Sequence, residues 1–303
     1  MKLLKLLTMT LVLSLFCYGC GSQQKKAEPA KQAGLAVGPG SFTMAEDTGA
    51  NKAPLQVFYY RPATWRSSNK VVLVIHGAGR NASGYRDAWQ EAADKYNLLI
   101  ICPAFTKEKY PGSTIFSMGN ILTKKDKTKL NAQKEWSLPV IDRVFAEAKK
   151  RFGAQKNTFS LYGHSGGAQF IHRYLFLLGQ TKADKIVIAN AGWYTMPNTA
   201  LDYPYGIKNV PVSPENLAAA LARPVTVLLG EADIDPNHKE LLKTPEAEAQ
   251  GINRFERGHN FFAAAKAKAA ELGVPFNWQL KTVPGVAHSN KGMAKAAAEI
   301  IGR

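Results

Sequence analysis

The chain has 303 residues, of which 46% are hydrophobic, and its formal net charge is +16. This length suits one large α/β domain or two small ones, and the composition is typical of an ordinary globular protein. No apolar run reaches the roughly 20 residues of a membrane span. No nucleic-acid motif or basic helix interleaved with aromatic residues occurs, which excludes nucleic acid as a partner. The excess charge predicts a basic surface, either simply solvated or attracted to anionic lipids or acidic polymers.

The amino terminus has the pattern of a targeting signal. Two lysines in residues 1–5 precede an apolar run over residues 6–16, which has the length of a signal peptide. Gly19 and Cys20 then resemble a bacterial lipoprotein cleavage site, although Cys17 stands where that motif usually has an aliphatic residue. The resemblance implies a lipid anchor on Cys20 and a location in the cell envelope, facing the periplasm or the cell surface. Ordinary secretion with cleavage nearby is the alternative.

Three parts of the chain follow from this pattern. We expect a signal peptide over residues 1–19, a flexible tether over residues 20–54 and a folded domain over residues 55–303. The tether segment is rich in Gln, Lys, Ala, Gly and Pro and has few large apolar residues. Cys102, the one cysteine of the domain, lies in an apolar segment before a proline and is expected to be a buried strand residue.

Strand and helix patterns alternate from residue 55 to the carboxyl terminus. Strands are predicted at residues 55–61, 71–75, 98–102, 157–162, 185–189, 225–229 and 276–283, and helices at residues 85–96, 135–152, 168–178, 259–272 and 290–301. An irregular stretch covers residues 192–214. The alternation predicts an α/β fold with a mostly parallel central sheet and helices on both faces. Ligands are then expected at the carboxyl ends of the strands.

One serine stands at a predicted junction between a strand and a helix. Ser165 follows the strand at 157–162 and precedes the helix at 168–178, with Gly163 and Gly167 two residues away on either side. This arrangement is the nucleophile elbow of the G-x-S-x-G pattern, in which the glycines lack the Cβ atoms that would keep strand and helix apart. A glycine-rich loop without a catalytic part is the alternative.

A serine hydroxyl needs a histidine to accept its proton and a carboxylate to orient that histidine. Asp233 follows the strand at 225–229 and is the predicted acid, with Asp235 and then Glu231 as alternatives. His288 follows the last strand and is the predicted general base. The five other histidines are expected to be packed or surface residues. None has metal-ligand spacing, so no metal site is predicted.

Backbone N–H groups are expected to stabilise the oxyanion of the tetrahedral intermediate. The residue after the nucleophile, Gly166, supplies one, and the loop after the strand at 71–75 supplies the other, from Ala78 or else Gly79. Substrate contacts are expected from the insertion at 105–131 and from Trp193 and Tyr194. The alternative for this aromatic pair is packing beneath its own loop.

These features together resemble the α/β-hydrolase superfamily over residues 55–301. Within it, the chain is similar to secreted polyhydroxybutyrate-depolymerase and feruloyl-esterase-like esterases and to dienelactone-hydrolase-like enzymes. The resemblance rests on the His76-Gly77 loop, the elbow, Asp233 and His288. It implies hydrolysis of a small or oligomeric carboxylic ester through an acyl-enzyme, without a metal or organic cofactor and without an obligate protein partner. A serine peptidase or acyltransferase on the same fold is one alternative, and a binding lipoprotein without turnover is another.

Overall fold

The computed structural model of the protein describes residues 35–126 and 128–303. Within them, eight strands form a single sheet in the order β1-β2-β4-β3-β5-β6-β7-β8. The strands are β1 (Gly38–Met44), β2 (Leu55–Arg61), β3 (Val71–Ile75), β4 (Leu99–Pro103), β5 (Phe159–His164), β6 (Ala183–Ala189), β7 (Val225–Gly230) and β8 (Trp278–Val283). β1 and β2 pair antiparallel with their neighbours, and β3 to β8 are parallel.

Helices cover both faces of this sheet. They are α1 (Ala82–Asp87), α2 (Gln90–Tyr96), α3 (Gly112–Ile115), α4 (Val140–Phe152), α5 (Gly166–Leu178), α6 (Pro214–Leu221), α7 (Pro245–Glu248), α8 (Arg254–Leu272) and α9 (Asn290–Gly302), with a 3₁₀ turn at Gln133–Glu135. Among the described residues, no helix has the length and apolar character that a membrane crossing needs. The predicted α/β fold with a mostly parallel sheet is confirmed.

The continuous apolar sequence of β3 is explained by its burial on both faces. Val71, Leu73 and Ile75 pack in the core beneath α4, α5 and α8. Val72 and Val74 point to the other face and pack with α1, α2 and α9. Because side chains alternate along a strand, a strand covered on both sides needs apolar residues at every position.

The predicted tether is wrong in its last part. Residues 38–44 form β1, which pairs with β2 along its whole length, from Gly38 opposite Arg61 to Met44 opposite Leu55. Phe42 alone on this strand is buried, and its ring packs against the rings of Tyr59 and Phe152. An edge strand with one buried anchor has little apolar signal, which is why its composition suggested a tether.

The predicted helices differ from the observed ones mainly at their boundaries. The helix predicted at 85–96 is two helices, α1 and α2, and the one predicted at 135–152 begins at Val140, just after Pro139. α8 begins at Arg254, five residues before the prediction, where Asn253 caps it by accepting from Glu256 N–H. α6 was not predicted at all.

Candidate active site

Ser165 lies in a sharp turn between β5 and α5. Its φ of 55° and ψ of −119° are unusual for a residue with a side chain, and its backbone N–H donates to Ala189 at 3.0 Å. The two flanking glycines stand where no Cβ fits. A Cβ on Gly163 would lie 2.4 Å from the carbonyl oxygen of Gly167, and a Cβ on Gly167 would lie 2.1 Å from that of Ile75. The strained turn therefore presents the serine hydroxyl above the sheet.

The structure brings Ser165, His288 and Asp233 together. His288 Nε2 lies 3.0 Å from Ser165 Oγ, and His288 Nδ1 lies 2.7 Å from Asp233 Oδ2. Ser165 follows β5, Asp233 follows β7 and His288 follows β8. The three residues therefore meet at the carboxyl edge of the parallel strands. The Asp233 side chain is 4% exposed and the His288 side chain 12% exposed. A hydroxyl, an imidazole and a buried carboxylate in this order can generate a nucleophilic serine.

The two alternative acids lie elsewhere. Asp235 is exposed and accepts a hydrogen bond from the backbone N–H of Asn237 at 2.8 Å, as a turn-capping carboxylate does. Glu231 is exposed and accepts from the hydroxyl of Thr282 at 2.7 Å. Asp233 is therefore the carboxylate that contacts His288 within the described part of the chain.

Asp233 has a second partner that the sequence did not predict. Nη1 of Arg254, the first residue of α8, lies 3.2 Å from Asp233 Oδ1. Arg254 stands before the predicted start of that helix, and nothing in its spacing from Asp233 indicated a contact. The signal that was available is local: Asn253 followed by Glu256 is a helix start of the capping-box type, which places Arg254 in the first turn.

The two predicted oxyanion donors lie side by side. Gly166 is the first residue of α5, so its N–H has no acceptor within the helix. A Cβ on Gly166 would lie 3.1 Å from the backbone nitrogen of Ala78, which shows how closely the two loops approach. The Ala78 N–H donates to no backbone acceptor among residues 35–126 and 128–303. The other predicted donor residue, Gly79, faces open space.

Three further histidines are packed, as expected. The rings of His164 and His288 lie 4.8 Å apart between centroids, and His164 Nδ1 is hydrogen-bonded to the Tyr85 hydroxyl at 2.9 Å. Burial lowers the pKa values of His164 and His172 well below the ordinary range and that of His76 to about 4. These three imidazoles are therefore neutral near pH 7, and His288 contacts the serine.

A cavity of about 810 Å³ opens over Ser165 and the two N–H groups. Its walls are partly apolar and partly cationic; Phe116, Met118, Trp193 and Tyr205 form the apolar part, and Arg80, Lys107, Lys239 and Arg254 the cationic part. Trp193 packs against Tyr205, with ring centroids 4.8 Å apart and the ring planes tilted by 44°. Part of the insertion predicted to contact substrate, residues 111–118, lines the same cavity.

Tyr194 is not part of the cavity wall, so the prediction that it contacts substrate is wrong. Its side chain is fully buried and stacks on Phe261, with ring centroids 4.3 Å apart. Gln250 holds its backbone in place by accepting from the N–H and donating to the carbonyl, both at 2.8 Å. Trp193 lines the cavity, whereas Tyr194, the next residue, packs in the core.

Residues suited to metal binding do not cluster in the described segments: no group of three or more His, Cys, Asp or Glu side chains could hold an ion there. Cys102 is buried in β4 and unpaired, and burial raises the pKa of its thiol. Cys20, the predicted lipid attachment site, lies outside the described residues.

Comparison with solved structures relates the chain to known hydrolases. It is 40% identical to poly(aspartic acid) hydrolase-1 from Sphingomonas sp. KT-1, over 89% of this chain and all of that one, with a TM-score of 0.84. It is 32% identical to LpqC, a poly(3-hydroxybutyrate) depolymerase from Bordetella parapertussis, over 88% and 89% of the two chains, with a TM-score of 0.81. The chain belongs to the α/β-hydrolase superfamily. The resemblance to depolymerase-like esterases is thereby confirmed, and the protein is a hydrolase of the serine-esterase type.

More distant α/β-hydrolases share only the fold. An S-formylglutathione hydrolase from Agrobacterium tumefaciens is 16% identical over 88% of this chain and 94% of that one, with a TM-score of 0.55. No protein-family model matches this hydrolase, and no curated protein matches it.

Proposed function

We propose that the protein is a serine carboxylic-ester hydrolase in which Ser165, His288 and Asp233 form the catalytic triad. The observation that carries the proposal is the unbroken path of hydrogen bonds from Ser165 Oγ through both nitrogens of His288 to Asp233 Oδ2. Because Asp233 faces Nδ1, it favours the tautomer in which Nδ1 carries the proton and Nε2 is free to accept one.

The reaction proceeds in two halves. Ser165 Oγ attacks the ester carbonyl while its proton passes to His288 Nε2, and the carbonyl electron pair moves onto oxygen. The tetrahedral intermediate collapses, the C–O bond to the alcohol breaks, and His288 returns the proton to the leaving alcohol. Water then attacks the acyl-enzyme while His288 accepts its proton. The bond between Ser165 Oγ and the acyl carbon breaks, His288 returns the proton to Oγ, and the carboxylic acid is released.

The N–H groups of Gly166 and Ala78 are proposed to hold the oxyanion. Their support is the close approach of the two loops and the orphan N–H that each residue offers. Donors fixed in advance around a developing negative charge are worth about 3 kcal/mol each in acyl transfer.

The cavity supports a small or oligomeric ester as substrate. Trp193 and Phe116 offer flat apolar surfaces for an acyl or aryl group beside Ser165. Met118 and Tyr205 also line a second, mostly apolar cavity of about 460 Å³, so the two spaces share a wall.

Hydrolysis of p-nitrophenyl acetate by the soluble domain, compared with Ser165→Ala, tests the proposal. We expect activity in the wild type, its loss in the variant, and covalent labelling of Ser165 by a fluorophosphonate. A wild-type rate no higher than that of the variant would favour a binding protein without turnover. A panel of acyl and aryl esters, with alcohols and amines offered as acceptors, separates hydrolysis from acyl transfer.

A second candidate activity is cleavage of amide bonds in an anionic chain. The specific observation is the charge of the cavity lining, which contains four cationic residues (Arg80, Lys107, Lys239 and Arg254) and one acidic residue, Glu240. The Arg80 guanidinium donates to the backbone carbonyls of Phe105 and Gly112, which fixes its charge at the cavity wall. The 40% identical relative is a poly(aspartic acid) hydrolase, and such a substrate would complement these cations.

Rates of hydrolysis of an ester and an amide with the same acyl group distinguish ester hydrolysis from amide cleavage. If poly(aspartic acid) is the substrate, incubation with the enzyme will shorten the polymer and release amino groups, and Arg80→Met will raise KM in a salt-dependent way. Hydrolysis of neutral esters without any shortening of the polymer would support ester hydrolysis and contradict amide cleavage.

We also propose that Cys20 carries a diacylglyceryl anchor and that the enzyme is attached to a membrane in the cell envelope. The support is the amino-terminal sequence, whose apolar run ends before a small residue and a cysteine. Globomycin should block maturation, and mass analysis should find the lipid on Cys20. An unmodified mature terminus elsewhere would mean ordinary secretion.

A further inference from the structure

The first turn of α8 binds Asp233 through two hydrogen bonds, neither of which involves the carboxylate oxygen that faces His288. Arg254 Nη1 binds Asp233 Oδ1 at 3.2 Å, and the backbone N–H of Phe255 donates to the main-chain oxygen of Asp233, also at 3.2 Å. The Arg254 side chain is 2% exposed and that of Asp233 4% exposed. One carboxylate oxygen is thus occupied by the arginine, and the other is left for His288. The amino-terminal end of a 19-residue helix adds partial positive charge beside the same carboxylate.

His238 supports Arg254 from the other end of the guanidinium. Arg254 Nη2 lies 3.1 Å from His238 Nδ1, which also accepts from the backbone N–H of Glu240 at 3.2 Å. His238 Nδ1 therefore faces two N–H donors, one from the guanidinium and one from the backbone, and is placed to accept from both. Its ring lies edge-on to His288, with centroids 5.8 Å apart. The contacts therefore run from His288 through Asp233 and Arg254 to His238 and back to His288.

A contribution to stability does not explain why Arg254 is buried beside Asp233. A buried ion pair contributes little net stability, because removing both charges from water offsets their attraction. Arg254 Nε is buried and has no hydrogen-bond partner among the described residues, so the guanidinium is not fully satisfied. Arg257, one turn later on α8, differs: its three nitrogens donate to the backbone carbonyls of Gly251, Gly192 and Leu242. Arg257 therefore stabilises the backbone of three loop segments, whereas Arg254 contacts the carboxylate of Asp233.

We propose that Arg254 is a positioning residue for the triad and that His238 holds it in place. The inference rests on the proposed function, because it assigns Arg254 a role through Asp233. Arg254 binds Oδ1 of Asp233 and thereby keeps Oδ2 turned toward His288. Its positive charge also partly offsets that of the carboxylate, so removing it should change the pH at which the triad loses activity.

His288 is surrounded by the other members of the triad and by two further imidazoles. Asp233 and Ser165 bind its two nitrogens, and the rings of His164 and His238 pack beside it. His164 stays neutral because of its burial, which leaves Arg254, behind Asp233, as the nearby cation.

Arg254→Met and Arg257→Met form a matched pair for the test, since both remove a buried arginine from α8. With p-nitrophenyl acetate, we expect Arg254→Met to lower kcat about 10- to 100-fold with little change in KM. The acid limb of its kcat/KM profile should move up by about one pH unit. Arg254→Lys keeps the charge and should restore most of the profile. Arg257→Met should leave the profile in place even where it lowers stability.

His238 supplies a second test that does not depend on a buried substitution. His238→Asn keeps an acceptor at the position of Nδ1 and should retain most activity, whereas His238→Leu should lower kcat about 3- to 10-fold. In the Arg254→Met background, His238→Leu should add little, because the two residues act in sequence.

An unchanged pH profile in a folded Arg254→Met variant, or additive losses in the double variant, would overturn the inference. If Arg254→Met does not fold, an unchanged kcat in His238→Leu overturns it equally. Ser165→Ala distinguishes a failure of the role of Arg254 from a failure of the proposed triad. An inactive Ser165→Ala with a normal Arg254→Met refutes only the role of Arg254, and an active Ser165→Ala refutes the triad itself.

Discussion

Replacing Gly167 by alanine should destabilise the protein through a clash between two backbones. The added Cβ would lie 2.1 Å from the carbonyl oxygen of Ile75 and 2.8 Å from that of His76. To reach a separation of 3.0 Å, α5 would have to move away from the end of β3 by about 1 Å. No side-chain rotation relieves this contact, because both partners are main chain. Overpacking of this kind costs about 3 kcal/mol, and alanine's better helix propensity recovers at most about 1 kcal/mol.

Urea unfolding followed by tryptophan fluorescence measures the difference. We expect the free energy of unfolding to fall by about 2 kcal/mol in Gly167→Ala, with the dependence on urea concentration unchanged. Gly79→Ala is the control, because a Cβ there would meet no atom within 4 Å, and its stability should match the wild type. Equal stability of the two variants would show that strand and helix do not approach as closely as the elbow requires.

Three further predictions concern the acid, the buried histidines and the cavity. Asp233→Asn should lower kcat about 10⁴-fold, because the amide favours the wrong tautomer of His288, and ester hydrolysis measures this directly; a loss below tenfold would refute the role of Asp233. The free energy of unfolding should fall as pH drops from 6.5 toward 4. His76 has its pKa lowered to about 4, so the unfolded chain binds more protons in that window; urea titrations at each pH should show a smaller slope in His76→Gln, and an equal slope would contradict the assignment. Trp193→Ala should raise KM for aryl and long acyl esters about tenfold and leave KM for acetate esters nearly unchanged; an equal effect on both would mean that the indole does not contact the acyl group.

Most of the sheet could be predicted because its strands are buried on both faces. β3 is a continuous apolar run and β7 is apolar except for Thr226 and its final glycine; short runs of this kind, rich in β-branched residues, are typical of a buried strand in a parallel sheet. β1 could not be predicted, since it is an edge strand with one buried residue, and its pairing depends on β2 rather than on its own composition.

The candidate site was predictable where chain order constrains it. Ser165, Asp233 and His288 each follow a strand, and the parallel sheet brings the ends of those strands together. Which loop side chains face the cavity was not predictable. Trp193 and Tyr194 have similar apolar character, and only the packing of Phe261 and the contacts of Gln250 decide that Tyr194 points inward. The contact between Arg254 and Asp233 was not predictable either. It joins residues 21 positions apart, and the local pattern at Asn253 and Glu256 indicates where the helix starts but not which residue Arg254 contacts.

The position of β8 at the edge of the sheet bears on how the enzyme would lose activity. β5, which leads to Ser165, is buried at all six positions, whereas β8 pairs only with β7 and buries one residue, Trp278. His288 follows β8 by five residues, so the imidazole depends on the less protected side of the sheet. Local opening of that edge would withdraw the imidazole while the central strands stay folded. Inactivation by rising denaturant should therefore precede the global transition, and hydrogen exchange at residues 278–290 should report the same opening.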